Sequence, residues 1–356
     1  MKINKKHLLL GLVLTLAFLS RGIYLADIPP GLNRDEAALG YTAYSILKTG
    51  KDEHGKFLPI SLKSFGDWKL PGYSYLAIPF IMGFDLNETA IRLPSVLAGV
   101  LTVFLAYLIA QKLFHSTSLS LLVALLIAVS PWHIFFSRVA SEANMAVFFM
   151  SLGFYLILVS RQHAFWLPVA TLAICSTLLI YHGNHIFTPL MFLVLVVVLR
   201  KQYFTRILGL VSLGMFIILA AFAYRETLLS ADRVKIAGLL SIKDESLVYE
   251  NIVKNRLIYT DGLLARIFNN KAIFLAENIT HNYLKAFSAE FLFIRGGNNA
   301  QHNMPDFGNL YPFEAVWLPL GLYFLFALRH KYSRLLLLWI LIAPLGSALT
   351  KDAPHS

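Results

Sequence analysis

The chain reads as an all-α polytopic membrane protein, on three observations. Of its 356 residues, 57% are hydrophobic and only 14% are charged, against about 25% charged in an average soluble domain. Its mean hydropathy is +0.63. Apolar runs of roughly 17–22 residues recur along it, the length that crosses about 30 Å of hydrocarbon. The basic residues gather in the short loops between those runs, so the net charge of +11 reads as an orientation signal. Nucleic acid, the usual partner of so basic a soluble protein, is excluded on that ground. The single cysteine, Cys175, lies inside an apolar run and permits no intrachain disulfide.

Each element follows from this pattern. Lys2, Lys5 and Lys6 precede a first span over about residues 7–26, which reads as uncleaved, with the N-terminus cytoplasmic. Pro29-Pro30-Gly31 marks its exit turn. Residues 35–48 then carry Ala37, Leu39, Tyr41, Tyr44, Ile46 and Leu47, a helical pattern suited to lying along the interface, with Asn33 as its N-cap. The next apolar run, about 72–86, contains Pro79 and Gly83 and would reach only about 22 Å as a helix. It reads as interfacial or re-entrant.

Further spans are expected at about 89–111, 118–136, 145–160, 164–180, 186–199, 207–224, 311–328 and 334–350. This makes about nine, with every short basic loop on the inner side. Three regions result: a transmembrane module over 1–225 whose first outer loop is 27–91, a long outer loop over 226–310, and further spans over 311–356. Within the long loop, about 246–268 and 270–292 have amphipathic helical patterns. The chain stops directly after an apolar run, which predicts a truncated sequence.

This topology gathers the ionisable residues on the outer face. Asp35-Glu36 is the first candidate, since a partly desolvated carboxylate near a bound substrate can take a proton from an attacking hydroxyl. The plainer reading is a pair of solvated acids complementing a helix dipole. Lys69, Arg92 and Arg138 are the second candidate. Cations at span ends bind phosphate at headgroup depth, or simply snorkel to lipid. Glu142 lies four residues after Arg138, a spacing that pairs on one helical turn. His182 and His185 have a metal-compatible spacing but lack a third ligand nearby, so no metal is expected. Arg295–His302 is rich in Gly and Asn and suits either a lid over a site or a plain connector, with His302 as its candidate contact. There is no Walker A sequence, no Rossmann glycine fingerprint and no His-Glu-x-x-His helix, so no nucleotide or other cofactor is expected.

Arg34-Asp35-Glu36-Ala37 after a first span, then Trp68-Lys69-Leu70-Pro71, then Arg92-Leu93-Pro94-Ser95 opening a span, resembles the C-type (GT-C) glycosyltransferase superfamily. The nearest branch is that of protein O-mannosyltransferases and aminoarabinose transferases, including the dolichyl-phosphate-mannose type. The likeness covers about residues 8–200 in layout and extends to Pro131-Trp132-His133 through Glu142 and, more loosely, to Arg295–His302. It implies a GT-C-like bundle at the cell membrane. That bundle would move a sugar from a polyprenyl-phosphate donor to a hydroxyl of a protein, lipid or glycan on the outer face, with inversion. Asp35 would be the catalytic base and Glu36 its companion. Lys69 would hold the donor phosphate. Arg92, Arg138, Glu142 and His302 complete the implied substrate-binding set. Relatives often carry Lys-Pro-Pro where this chain has Lys69-Leu70-Pro71, and they continue into a later domain.

Two other classes compete. A transporter or lipid flippase would bury ionisable residues mid-span, for which Arg21 and His133 are the few candidates. A non-catalytic assembly factor would tolerate alanine at both Asp35 and Lys69.

Overall fold

The computed structural model of the chain describes residues 5–65, 67–229, 250, 252–254, 256, 262–297, 304, 306–327, 332–350 and 353–354. These residues are almost wholly helical, with one two-stranded hairpin among them. In chain order the elements are α1 (Lys5–Gly22), α2 (Arg34–Thr49), β1 (Leu62–Ser64), β2 (Asp67–Lys69), α3 (Gly72–Phe84), α4 (Glu88–Phe114), α5 (Thr117–Val129), α6 (Pro131–Ser137), α7 (Glu142–Val159), α8 (Trp166–Ser176), α9 (Asn184–Val198), α10 (Arg200–Phe204) and α11 (Ile207–Leu229). Helices at Lys271–Lys285, Glu314–Ala327 and Ser333–Ile342 follow.

Three described helices are long and apolar enough to cross a bilayer: α4, α7 and Ile207–Arg225 of α11. A fourth span results if α5 and α6 count as one. The apolar helices Gly72–Phe84, Trp166–Leu179, Asn184–Val198, Glu314–Ala327 and Ser333–Ala348 are shorter. The expected third span over 118–136 is not one straight rod. Ser130 leaves helical geometry and Pro131 restarts the helix, so α5 and α6 meet at a bend of 60°. Proline supplies no amide proton for the α5 ladder and is well placed only at a helix start.

α4 is the central pillar and packs against α1, α3, α5, α6 and α7. Its start is set by Asn87, whose side chain accepts from the Ala90 amide at 2.9 Å. Its end is set by His115 in the left-handed region, φ 53. One apolar core lies between α1, α4 and α5 around Ala17, Val103, Ala124 and Ala128. A second joins α7, α8 and α9, with Phe154, Ile174 and Leu195. A third, built from Leu39, Ala43, Tyr73, Ala77, Ile91 and Met145, seats α2 and α3 on α4 and α7. Small residues let these helices approach closely. A Cβ at Gly153 of α7 would come within 3.0 Å of the Ala170 carbonyl of α8, the kind of contact expected where lipid offers helices no hydrophobic drive to associate.

α3 has 13 residues, about 20 Å at helical rise, which is short of the hydrocarbon thickness. It is held to its neighbours by polar side chains. The Tyr73 hydroxyl donates to the Ile91 carbonyl at 2.8 Å, and Ser74 Oγ donates to that of Leu39 at 3.0 Å. The hairpin β1–β2 was not expected from the sequence. Its register pairs Leu62 with Lys69, Lys63 with Trp68 and Ser64 with Asp67. In the long loop, Lys271–Lys285 is helical, while most of the amphipathic stretch predicted at 246–268 lies outside the described residues.

Candidate active site

The site begins at the N-terminus of α2. Asn33 Oδ1 accepts from the amides of Asp35 at 2.8 Å and Glu36 at 2.9 Å, and Glu36 Oε2 accepts from the Asn33 amide at 3.1 Å. This reciprocal capping box satisfies orphan donors of the first turn and fixes where the helix starts. Adjacent residues on a helix diverge by about 100°, so the two acids take different surroundings.

Asp35 turns toward the hairpin. Lys69 Nζ lies 2.8 Å from Asp35 Oδ1 and donates to the Asp35 carbonyl at 3.2 Å. The pair straddles a boundary, since the Lys69 side chain is 8% exposed and that of Asp35 is 42% exposed. β1–β2 explains how Lys69 arrives there. Strand alternation turns Leu62 and Lys69 to the inner face and Lys63 to the outer one.

Glu36 turns inward and is buried. Arg92 Nε donates to Glu36 Oε1 at 2.9 Å and Arg92 Nη2 to Oε2 at 3.2 Å, and the Ala140 amide adds a second bond to Oε1 at 2.9 Å. Arg92 is equally buried. Its remaining N–H groups reach the carbonyls of Leu25 at 2.8 Å, Pro29 at 2.9 Å and Ala26 at 3.5 Å, and that of Gly31. Arg138 does the same for the preceding turn. It donates to the carbonyls of Ser20 at 2.9 Å, Ile23 at 2.8 Å, Ile28 at 2.9 Å and Tyr24 at 3.3 Å. Burial, and then the nearby Arg92 charge, lower the Arg138 pKa from its ordinary value. The two arginines thus bond carbonyls of the last turn of α1 and of residues 23–31, which lie in no helix or strand.

Glu142 opens α7, four residues beyond Arg138. Its charge faces Tyr181. Burial first, and that charge second, push the Tyr181 hydroxyl up to about 12, so it stays a neutral group at physiological pH. His182 and His185 stack edge to face, 5.2 Å between ring centroids, and His185 Nε2 meets the Leu178 carbonyl at 2.9 Å. Among the described residues no three His, Cys, Asp or Glu side chains converge as a metal site. His302 and most of the predicted lid lie outside the described residues.

The structure therefore brings Asp35, Glu36, Lys69 and Arg92 into one continuous cluster, with Arg138 bracing the adjoining turn. Sequence reasoning missed the Ala140 amide and the carbonyls of 20–31. Main-chain groups carry no residue-type signal, so nothing in the composition marks them. It also missed Asn144, whose Nδ2 donates to the Ser95 carbonyl at 2.8 Å and to Ser95 Oγ at 2.9 Å, tying α7 to α4 beneath the site.

Comparison with known proteins agrees with the fold. The oligosaccharyltransferase AglB from Archaeoglobus fulgidus, solved with an inhibitory peptide and a dolichol-phosphate, matches 96% of this chain and 48% of its own at 17% identity, with a TM-score of 0.52. Its apo form matches 98% of this chain and 50% of its own at 15% identity, TM-score 0.53. ArnT from Cupriavidus metallidurans matches at 12% identity, covering 96% of this chain and 74% of its own, TM-score 0.49. The chain spans about half the length of the AglB structures. No curated protein sequence matches it. The family model for dolichyl-phosphate-mannose-protein mannosyltransferases matches residues 11–231. On that match, which takes in the whole cluster from Asp35 to Arg138, the chain belongs to the dolichyl-phosphate-mannose-protein mannosyltransferase family.

Proposed function

We propose that the protein transfers a sugar from a polyprenyl-phosphate donor to an acceptor hydroxyl on the extracytoplasmic face of the cell membrane. In this reading Asp35 is the general base. The observation that carries it is the 2.8 Å contact between Asp35 and Lys69 across the edge of the bundle. The base is open enough for an acceptor to reach it. The lysine is nearly buried, on the side where a lipid phosphate would lie.

In the reaction the acceptor hydroxyl gives its proton to Asp35 as its oxygen attacks the anomeric carbon. The bond from that carbon to the phosphate oxygen breaks, and the electron pair leaves with the polyprenyl phosphate. Lys69 stabilises the charge that grows there. One displacement from the face opposite the phosphate inverts the anomeric centre. Lys69 does this work, and no metal or other cofactor is invoked.

The other members of the cluster take different roles. All five N–H groups of Arg92 are bonded within the protein, and both oxygens of Glu36 are occupied. We assign both to holding α2 in register with α4 and α7. Arg138 is assigned to holding residues 20–28, and Glu142 to the acceptor side near Tyr181. About nine spans, with the N-terminus cytoplasmic, put this cluster on the outer face. The acceptor class, protein by the family's description, fits a base that opens to water. AglB has been solved with both a peptide and a dolichol-phosphate, so a fold of this kind can hold both kinds of molecule.

The transporter reading would take the buried pair Arg21 and His133 as a substrate path. Arg21 has a structural account instead. It donates to the carbonyls of Ile127 at 3.1 Å and Ala128 at 2.9 Å in the last turn of α5, just before the α5–α6 break, and to His133 Nδ1 at 2.7 Å. The deciding experiment is sugar transfer in vesicles by Asp35→Asn with a radiolabelled polyprenyl-phosphate sugar. Loss of about 10²–10⁴-fold is expected for a general base. Near-normal transfer removes the assignment, and substrate accumulation without transfer favours transport.

A further inference from the structure

The connection from α2 to β1 distributes its charge unevenly. Residues 48–65 hold four lysines and two acids, and both acids accept hydrogen bonds from within the chain, Asp52 buried and Glu53 exposed. Asp52 is buried, and its Oδ1 accepts from the amides of His54 at 3.0 Å and Lys56 at 2.8 Å. Both carboxylate oxygens of Glu53 accept from the Thr42 hydroxyl, at 2.9 and 3.1 Å. Lys48, Lys51, Lys56 and Lys63 all stay exposed.

Two large apolar side chains sit among these cations and face outward. Phe57 is 67% exposed and Leu58 is 50% exposed. They are fixed there by the backbone. Lys51 and Phe57 form an antiparallel bridge, which places their side chains on one face. The Leu58 amide donates to the Gly50 carbonyl at 3.0 Å and holds Leu58 at φ 38, a conformation that a branched residue rarely adopts. A ledge results, with lysines around a projecting Phe-Leu pair. His54 Nε2 meets the Lys63 carbonyl at 3.1 Å, so the ledge and the hairpin that carries Lys69 are joined.

We propose that this ledge docks onto anionic phospholipid headgroups of the bilayer that the helices span. Lysines attract an anionic leaflet, while an aromatic and an aliphatic side chain gain by entering the interface. A soluble acidic partner would match the lysines but leave the apolar pair unexplained. The chain's next helix, α3, also turns Met82 and Phe84 outward.

Cys175 is the single cysteine and is buried, so Phe57→Cys in a Cys175→Ser background takes one environment-sensitive label. A parallel Leu58→Cys variant guards against a local failure to fold. In phosphatidylcholine vesicles containing phosphatidylglycerol, spin-labelled lipid should quench the label and iodide should not. In phosphatidylcholine alone the order should reverse. Lys51→Gln, Lys56→Gln and Lys63→Gln should each lower the docked fraction relative to the undocked by about fivefold. Equal iodide access in both vesicle types overturns the proposal. So does a label that responds to soluble polyglutamate or inorganic phosphate but not to the anionic lipid. The readout is independent of sugar transfer, so it stands or falls apart from the catalytic assignment.

Discussion

Asp35 and Glu36 are neighbouring carboxylates with opposite circumstances. Asp35 keeps one face to water and meets a lysine, whereas Glu36 is enclosed by Arg92, two amides and the apolar core. A buried pair of this kind is hard to break from one side only, because the remaining charge is stranded. Arg92→Ala should therefore destabilise the protein by about 3–5 kcal/mol, read as a loss of folded protein in detergent unfolding. The paired change of Glu36→Gln with Arg92→Met should recover part of that loss. Lys69→Gln should act differently, leaving the fold standing and raising the donor KM more than the acceptor KM in two-substrate kinetics. An equal rise in both would argue against a phosphate role for Lys69. At this scale the sequence singled out Asp35, Glu36, Lys69 and Arg92, and the fold brings the four side chains together. It could not divide their labour, because burial and partners are set by residues far away in the chain, such as Ala140.

Elements carry the site by being short, broken and closely packed. α3 begins at Gly72, three residues after Lys69, and a Cβ there would come 2.5 Å from Ile180 Cγ1 and 2.8 Å from the Leu179 carbonyl. A carbonyl of a neighbouring backbone cannot rotate away as a side chain can. Gly72→Ala should push α3 off the end of the α8 segment at about 1–3 kcal/mol. It should also slow transfer, because a shift of about 1 Å in a positioning residue can cost 10²-fold. Unchanged transfer alongside a lowered melting point would separate the packing role from the positioning role. The N-cap of α2 and the brevity of α3 were legible in the sequence, from Asn33 and from the interruption of the apolar run. The hairpin was not. Three-residue strands offer too little alternation to register as a pattern, and Lys69 meets Asp35 only once the hairpin is in place. The bend at Ser130–Pro131 was missed because hydropathy runs unbroken across it, even though proline itself was in view.

For the whole molecule the consequence is sidedness. If α4 runs inward from Arg92 to Lys112 and the basic turn at Arg200-Lys201 is cytoplasmic, single cysteines near 34 and 63 should label from one side of sealed vesicles. A cysteine near 201 should label from the other. Labelling of all three from one side would undo the topology and the placement of the reaction with it. The scaffold to be oriented is a bundle around α4, in which α1, α3, α5, α6 and α7 share one central helix.

Composition and the spacing of apolar runs by themselves determined that this chain is a helical membrane protein, because lipid requires every backbone group to be satisfied within a segment. They also determined which polar excursion holds the acids and cations. Tertiary structure alone decided that Lys69 serves Asp35 while Arg92 serves Glu36 and the turn before it. Those pairings depend on main-chain carbonyls and amides brought together from the α1–α2 turn, the start of α2 and the turn before α7, and such groups are the same in every residue and invisible until the chain has folded.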